Sequence, residues 1–340
     1  MRVALDLRAL DDPALAERGI GRYAAELAAA LPGAGVDVAH LRELSRPWAP
    51  GRVAELWEHA RLGRDARAAG ADLLHSPSID RVTLRPGLPY VVTLHDLVPL
   101  KQPARYLRSG MKHRLRYAAV RRASRVIVPS RTVADDAARL LGLEDVDVVA
   151  EAPAAGLAPV SAPRGLLARL RLPARFLLWV GGLDPPDPRK GVEALARHVA
   201  AGHSPPLVLA GRHSAAAAGL AVEGRVVLTG RVSDQELAAL YSAADALVLP
   251  SEDEGFGLTP HEALACGTPV AAYAIPALAE TLGHNPAVRL VQPGDLDALL
   301  AAADELTGTD AAPPSRTWAD VARETAAVYA RAAGAPTPDP

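Results

Sequence analysis

The chain has 340 residues, of which 49% are hydrophobic and 22% charged, with a formal net charge of −2. That length is enough for two domains with separate cores, the composition is ordinary for a globular protein, and the near-neutral charge argues against a general nucleic-acid binder. The single cysteine, Cys266, excludes an internal disulfide and reads as a small buried apolar residue.

Met1-Arg2-Val3-Ala4-Leu5-Asp6-Leu7 reads as a first strand rather than a secretory signal. No apolar run approaches the ~20 residues of a membrane span, so a cytoplasmic protein is expected. In the first half, strands are expected to begin near Val3, Val36, Leu73, Val91, Val126 and Val146. In the second half they are expected near Phe176, Leu207, Val226, Leu247, Val270 and Val288. Helical patterns lie between them, among them Arg22 to Leu31, Val192 to Val199 and Gln235 to Ala243. Ser233-Asp234-Gln235-Glu236 is a capping box that marks the start of the last of these. Alternating strand and helix predicts parallel sheets covered on both faces, and two such sets predict two doubly wound α/β domains facing a cleft. The proline- and glycine-broken stretch 152–159 marks the boundary. The expected division is 1–154, 155–315, a final helix over 316–334 carrying Trp318 and Tyr329, and a disordered tail over 335–340.

In chain order, the first motif is Gly19-Ile20-Gly21-Arg22-Tyr23-Ala24, which fits G-x-G-x-x-A. A dinucleotide fingerprint follows its strand immediately, and the gap from Leu7 to Gly19 is too long for one. His75 ends a strand and reads as structural. His95-Asp96 ends the strand Tyr90 to Leu94, and reads either as a strand-end histidine with an Asp turn cap or as a pair facing the cleft. From Lys101 to Arg125 the chain is basic, with Tyr106, Leu107, Met111, Leu115 and Tyr117 interleaved. That block is either a solvated helix face or an acceptor-side surface for an anionic membrane or a phosphate-bearing lipid-linked acceptor. Asp145-Val146-Asp147 and Asp295-Leu296-Asp297 match a D-x-D pattern, but the first runs into a strand and the second into a helix, so no metal is expected. Pro188-Arg189-Lys190-Gly191 places two cations at the start of the helix Val192 to Val199, which opposes the helix dipole unless an anion sits there.

The most informative block is Glu254-Gly255-Phe256-Gly257-Leu258-Thr259-Pro260-His261-Glu262, two carboxylates separated by seven residues. It follows a strand and opens a helix. The glycines admit close approach of a ligand to the backbone, and the helix start suits a phosphate. An acidic side chain beside such a turn suits a ligand with hydroxyls next to a diphosphate. Glu262 has two readings, the third helical position of a capping box begun by Thr259 or a ligand contact. Glu254 stands in a loop at a strand's carboxyl end, where open α/β sheets bind ligands.

Ser251 to Val270 resembles the signature of the retaining nucleotide-sugar glycosyltransferases of family 4, which have the GT-B fold. Arg18 to Tyr23, Thr93 to Pro99, Trp179 to Gly182, Pro188 to Gly191 and Gly230 to Asp234 extend the likeness in family order over most of the chain. The nearest branch holds bacterial mannosyltransferases of surface polysaccharides. The resemblance implies two Rossmann-like domains, the second binding a nucleotide diphosphate sugar and the first a hydroxyl acceptor, with no cofactor. Glu254 would hold sugar hydroxyls beside the backbone of Gly255, Phe256, Gly257 and Leu258. Glu262 would hold the ribose, and Gly230 to Val232 would lie against the base. Lys190 and Arg189 would hold the pyrophosphate near Gly181, and Gly19 and Gly21 would form a loop whose backbone reaches it. His95 and Asp96 would lie near the transferred sugar. Catalysis would be electrostatic and metal-free, the leaving phosphate taking the acceptor proton on the same face. Many relatives carry arginine where this chain has Gly182. A sugar-nucleotide epimerase, a phosphorylase or a silent partner of another transferase shares the same fold.

Overall fold

The computed structural model describes residues 1–11, 19–42, 61–79, 82–106, 110–161, 164–202 and 204–334. Arg18, Leu107, Arg108 and the 335–340 tail lie outside the described residues, as do the side chains of Met111 and Lys112. Residues 1–151 with 317–334 form one compact unit, and 152–316 form another.

The first unit is built on β1 (Arg2–Asp6), β2 (Asp37–Leu41), β3 (Leu73–Ser76), β4 (Tyr90–Thr93), β5 (Arg125–Val128) and β6 (Asp147–Val148). They form one six-stranded parallel sheet in the order β2-β1-β3-β4-β5-β6. The second unit also has six strands, β7 (Leu177–Val180), β8 (Leu207–Ala210), β9 (Val226–Gly230), β10 (Ala246–Leu249), β11 (Val270–Tyr273) and β12 (Val288–Val291). Its order is β12-β11-β10-β7-β8-β9, again parallel. The central strands are largely apolar because helices cover both faces; β3, β4, β8, β10 and β11 are buried along their whole length.

Strand order sets where ligands can bind. In an open parallel sheet the crevice lies outside the carboxyl ends where the winding reverses. That point falls between β1 and β3 in the first sheet and between β7 and β10 in the second. Leu177 pairs with Ala246, so the loops that leave β7 and β10 start side by side.

The helices begin where local chemistry directs. Ser130 caps Arg131–Leu141 by accepting from the Val133 N–H, and Ser233 with Glu236 forms a complete capping box on Asp234–Ala243. The last helix, Trp318–Ala333, starts at a second box made by Thr317 and Asp320. It belongs to the first unit, where the Trp318 ring meets Tyr23 edge-on at 5.6 Å. Arg331 Nη2 reaches Asp147 Oδ1 at 2.6 Å. The helix buries Val321 and Val328 completely, each burial contributing about 1.5–3 kcal/mol.

Candidate functional site

In the second unit the polypeptide leaving β7 turns at Gly181, whose N–H donates to Ala210 O at 3.0 Å. Residues 188–190 form a separate 3-10 turn capped by Asp187, and the helix Val192–Ala201 starts only after Gly191. Arg189 and Lys190 therefore lie ahead of that helix, in their own turn, and the expectation that they sit at its start is corrected. Gly191 has φ +63°, and a Cβ there would lie 2.5 Å from Pro250 O, so the turn packs directly on the end of β10. The Glu252 N–H donates to Arg189 O at 2.8 Å and ties the two loops together.

Three predicted residues converge there. Lys190 Nζ meets Glu254 Oε1 at 2.5 Å. Arg189 Nε donates to Asp187 Oδ2 at 2.9 Å and Nη1 to Asp253 O at 3.0 Å. The Glu254 side chain is 10% exposed and that of Lys190 28%. Burial pushes the Glu254 carboxyl up, but the charges of Lys190 and Arg189 outweigh it and hold the group below the usual glutamate range. Glu254 is thus a carboxylate in a cationic surround, able to accept from hydroxyls, and Lys190 has an ammonium that an incoming anion can draw off.

Gly257, at φ +91°, is the N-cap of the helix Leu258–Ala265. That left-handed backbone favours glycine, and a Cβ on it would also have to displace the tip of the Leu278 side chain, 2.5 Å away. Phe256 stacks on His261 with centroids 4.4 Å apart, and His261 Nδ1 donates to Gly257 O at 2.7 Å. Thr281 Oγ1 donates to Phe256 O at 3.1 Å and holds the turn from the far side. The helix starts earlier than a Thr259 cap requires, so Glu262 is its fifth residue and the capping-box reading is corrected. The Glu262 carboxylate is buried and accepts from Tyr241 Oη at 3.1 Å. Gly230 ends β9 at φ +72° and accepts from the Gly211 N–H at 3.2 Å; Val232 packs partly buried on the core nearby.

In the first unit, His95 follows β4 with Nδ1 2.9 Å from Glu151 Oε1 and Nε2 2.8 Å from Pro77 O. Asp96 Oδ1 accepts from the Val98 N–H at 3.2 Å, as a turn cap does. His75 is fully buried, with Nδ1 2.7 Å from Tyr329 Oη and Nε2 2.9 Å from Thr93 Oγ1, which also lies 3.2 Å from Tyr23 Oη. Burial, then the neighbouring His95, push its pKa down to about 3, so it is neutral. Gly19 and Gly21 are not in a loop but in the first turn of the helix Gly19–Ala30, with Gly21 buried.

Several other sequence candidates are engaged elsewhere. Arg125 bonds both Asp145 and Asp147, at 2.6 and 2.8 Å, so this D-x-D pair fastens β5 to β6. Asp295 caps the helix Leu296–Glu305 by accepting from the Ala298 N–H, and Asp297 pairs with His198 at 3.0 Å. Among the described residues no group of three or more His, Cys, Asp or Glu converges as a metal site would. Part of the basic stretch is engaged within the protein: Lys101 pairs with Asp136 at 2.9 Å, and the exposed Arg121 and Arg122 donate to Leu141 O at 3.0 Å and Leu84 O at 3.2 Å. No helix among the described residues is long and apolar enough to cross a membrane. The roles of Asp187, Asp253, Tyr241, Thr281 and Glu151 emerge from the structure. Only Asp187, standing before Pro188, carried a local signal, that of an N-cap.

Family models and known structures agree with this layout. The Glycosyltransferase Family 4 model matches residues 18–152 and the Glycosyl transferases group 1 model matches 174–308. A 2-deoxystreptamine N-acetyl-D-glucosaminyltransferase of Streptomyces fradiae is 35% identical over 263 residues, covering 70% of this chain and 60% of that protein. The chain spans no more than about 60% of the length of the curated relatives it matches. Sucrose-phosphate synthase of Thermosynechococcus elongatus superposes with a TM-score of 0.72 at 23% identity, over 98% of this chain and 96% of that one. HepE of Anabaena, solved with UDP and glucose, superposes with a TM-score of 0.66 at 19% identity, over 97% and 95% of the two chains. The shared architecture is the GT-B fold.

Proposed function

From a chain that belongs to the group 1 and family 4 glycosyltransferases, we propose a retaining, metal-independent enzyme that moves a sugar from a nucleotide diphosphate sugar to an acceptor hydroxyl. The observation that carries this reading is the Lys190–Glu254 pair with Arg189, set where the second sheet reverses its winding. The second unit binds the donor and the first the acceptor. Glu254 accepts from sugar hydroxyls while Lys190 turns to the diphosphate, so donor binding replaces one charge partner by another. The backbone of Gly255, Phe256, Gly257 and Leu258 at the helix start and that of Gly181 border the diphosphate. Gly230 and Val232 border the base, and Glu262 the ribose. Lys190 and Arg189 stabilise charge as the diphosphate leaves, the part a metal takes in other transferases. The leaving phosphate accepts the proton of the attacking hydroxyl on the same face, which preserves anomeric configuration. In the first unit, Gly19, Gly21, His95 and Asp96 are the residues assigned to binding and transfer.

The S. fradiae relative is named for transfer to 2-deoxystreptamine, so a small polyhydroxylated acceptor is the first to test. A peripheral membrane contact through 101–125 is the weaker acceptor-side reading, because Lys101, Arg121, Arg122 and Arg125 already have internal partners. Calorimetric binding of GDP, UDP and dTDP, followed by turnover with the matching sugar nucleotides in a strong chelator, tests the proposal. Tight binding of one nucleotide and chelator-resistant transfer to a hydroxyl with the donor's anomeric configuration kept are expected. Loss of activity in chelator, restored by magnesium or manganese, refutes metal independence. Inversion of configuration refutes the retaining mechanism.

A further inference from the structure

We propose that His261 is a positioning residue for the donor diphosphate: its imidazole pins the carbonyl of Gly257 and so aims the N–H of Leu258 out of the helix start at the phosphates. The inference rests on the transferase reading above and deepens the part played by the glycine turn. Every group it uses belongs to the second unit.

The turn is held by its carbonyls. His261 Nδ1 lies 2.7 Å from Gly257 O, and a carbonyl can only accept, so Nδ1 carries the proton. The backbone N–H of His261, the regular helical donor to Gly257 O, stands farther off at 3.4 Å. The side chain has thus taken over the first bond of the helix. The ring is buried and stacks on Phe256, with centroids 4.4 Å apart and planes 16° from parallel, and that stacking sets where the bond is made. A buried imidazole costs desolvation that an apolar side chain in its place would not, and the bond to Gly257 O offsets it. One residue earlier, Thr281 of the helix Pro276–Leu282 reaches Phe256 O at 3.1 Å, its single proton shared with Ala277 O at 2.9 Å.

Peptide planarity carries this constraint to the opposite side. In a trans peptide the C=O and N–H point in opposite directions. Among the described residues the cis bond is Asp184–Pro185, so both peptides flanking Gly257 are trans. With Gly257 O turned to His261, the Leu258 N–H is turned away from the ring. With Phe256 O turned to Thr281, the Gly257 N–H is turned away from that helix. Neither N–H has a hydrogen-bond partner among the described residues. Leu258 is only partly buried, so its N–H stands at the positive end of the helix dipole within reach of an anion. Gly257 has no Cβ to restrict how its two peptides rotate, and the pins matter most at such a residue. Donors aimed before the ligand arrives need no reorganisation as charge builds on the diphosphate.

The test separates phosphate from base. In the full chain, affinity for the best bound of GDP, UDP and dTDP is measured by calorimetry, and affinity for its parent nucleoside by displacement. His261→Leu keeps an apolar contact with Phe256 and removes the N–H. It should weaken diphosphate binding about tenfold and leave nucleoside binding unchanged. His261→Asn places an amide N–H where Nδ1 stands and should recover most of the loss. His261→Gln carries its amide one bond farther out and should not. Equal weakening of diphosphate and nucleoside in His261→Leu would mean that the ring only supports the fold, and would overturn the role; so would an unchanged diphosphate affinity. Where the melting curve shows that His261→Leu does not fold, the Asn and Gln proteins decide, and equal diphosphate affinities in the two overturn the proposal. An unmodified protein that binds none of the three nucleotides sinks the transferase reading and this role with it. One that binds diphosphate far above nucleoside, with every variant binding it as well, keeps the transferase reading and loses the role of His261.

Discussion

Both units are doubly wound six-stranded parallel sheets, one reversing after two strands and the other after three, and they finish their strand ends differently. In the first, side chains fill the carboxyl edge: His75, Thr93, Tyr23 and Tyr329 form one buried chain of hydrogen bonds, and His95 with Glu151 forms another. In the second, backbone dominates. Among the described residues, the positive-φ glycines of the first unit, Gly35, Gly70, Gly87 and Gly142, stand before strands; the second unit has such glycines too, Gly224 and Gly267, and adds Gly191, Gly211, Gly230 and Gly257 at or beyond strand ends. A sheet edge lined by bare backbone leaves room for phosphate and sugar, and one lined by interlocked polar side chains gives up space for rigidity. The lesson is that a common fold divides its labour by the chemistry of its strand-to-helix turns.

Acid should break the comparison most sharply. His75 has a folded pKa depressed to about 3 against an ordinary 6.5, so it contributes stability above 6.5 that is lost as pH falls toward 3. For a fully buried group that loss is on the order of several kcal/mol. Glu254 is also depressed but begins from 4.5, so its contribution is lost only below that. Hydrogen exchange as a function of pH should therefore show the first unit loosening between pH 6.5 and 4.5 while the second stays protected. Simultaneous loss of protection in both units would contradict the assignment.

Next in size is the Lys190–Glu254 pair. A charge-assisted bond to phosphate is worth roughly 1.5–3 kcal/mol, so Lys190→Ala should lower turnover on the order of tenfold to a hundredfold. Part of that loss comes from Glu254 left buried without its cation. Glu254→Gln alone should impair transfer with little change in melting temperature, and the double variant should lose less than the sum of the two. Strictly additive losses in kcat/KM would mean that the two side chains act independently.

Smaller effects separate Glu262 from its neighbour. Glu262→Gln can still accept from Tyr241, so stability should hold while nucleotide affinity falls. Tyr241→Phe removes that bond and should cost about 1 kcal/mol in a urea titration. Unchanged affinity in Glu262→Gln would assign the carboxylate to packing alone. Smallest of all is the basic stretch. Arg105→Glu with Arg114→Glu alters solvent-facing charges, each worth at most ~1 kcal/mol near an anionic bilayer. Co-sedimentation with anionic vesicles at low salt should be weak and little altered; strong binding abolished by the reversal would restore the membrane reading.

The sequence by itself determined the two sets of six strands, the helix start at Ser233 and the strand–turn–helix around Glu254, because each is written in local periodicity, caps and glycines. It also held the family motifs, since those are contiguous. It could not decide between cap and ligand for Glu262: Thr259-Pro260-His261-Glu262 spells a capping box locally, and only the left-handed Gly257, wedged against Leu278, moved the helix start ahead of it. Nor could it pair the charges. Lys190 and Glu254 are 64 residues apart, His95 and Glu151 56, and His75 and Tyr329 254. Which polar groups meet depends on which strand ends adjoin. Strand order settles that through long-range packing of apolar faces, a choice to which the partners themselves contribute no local signal.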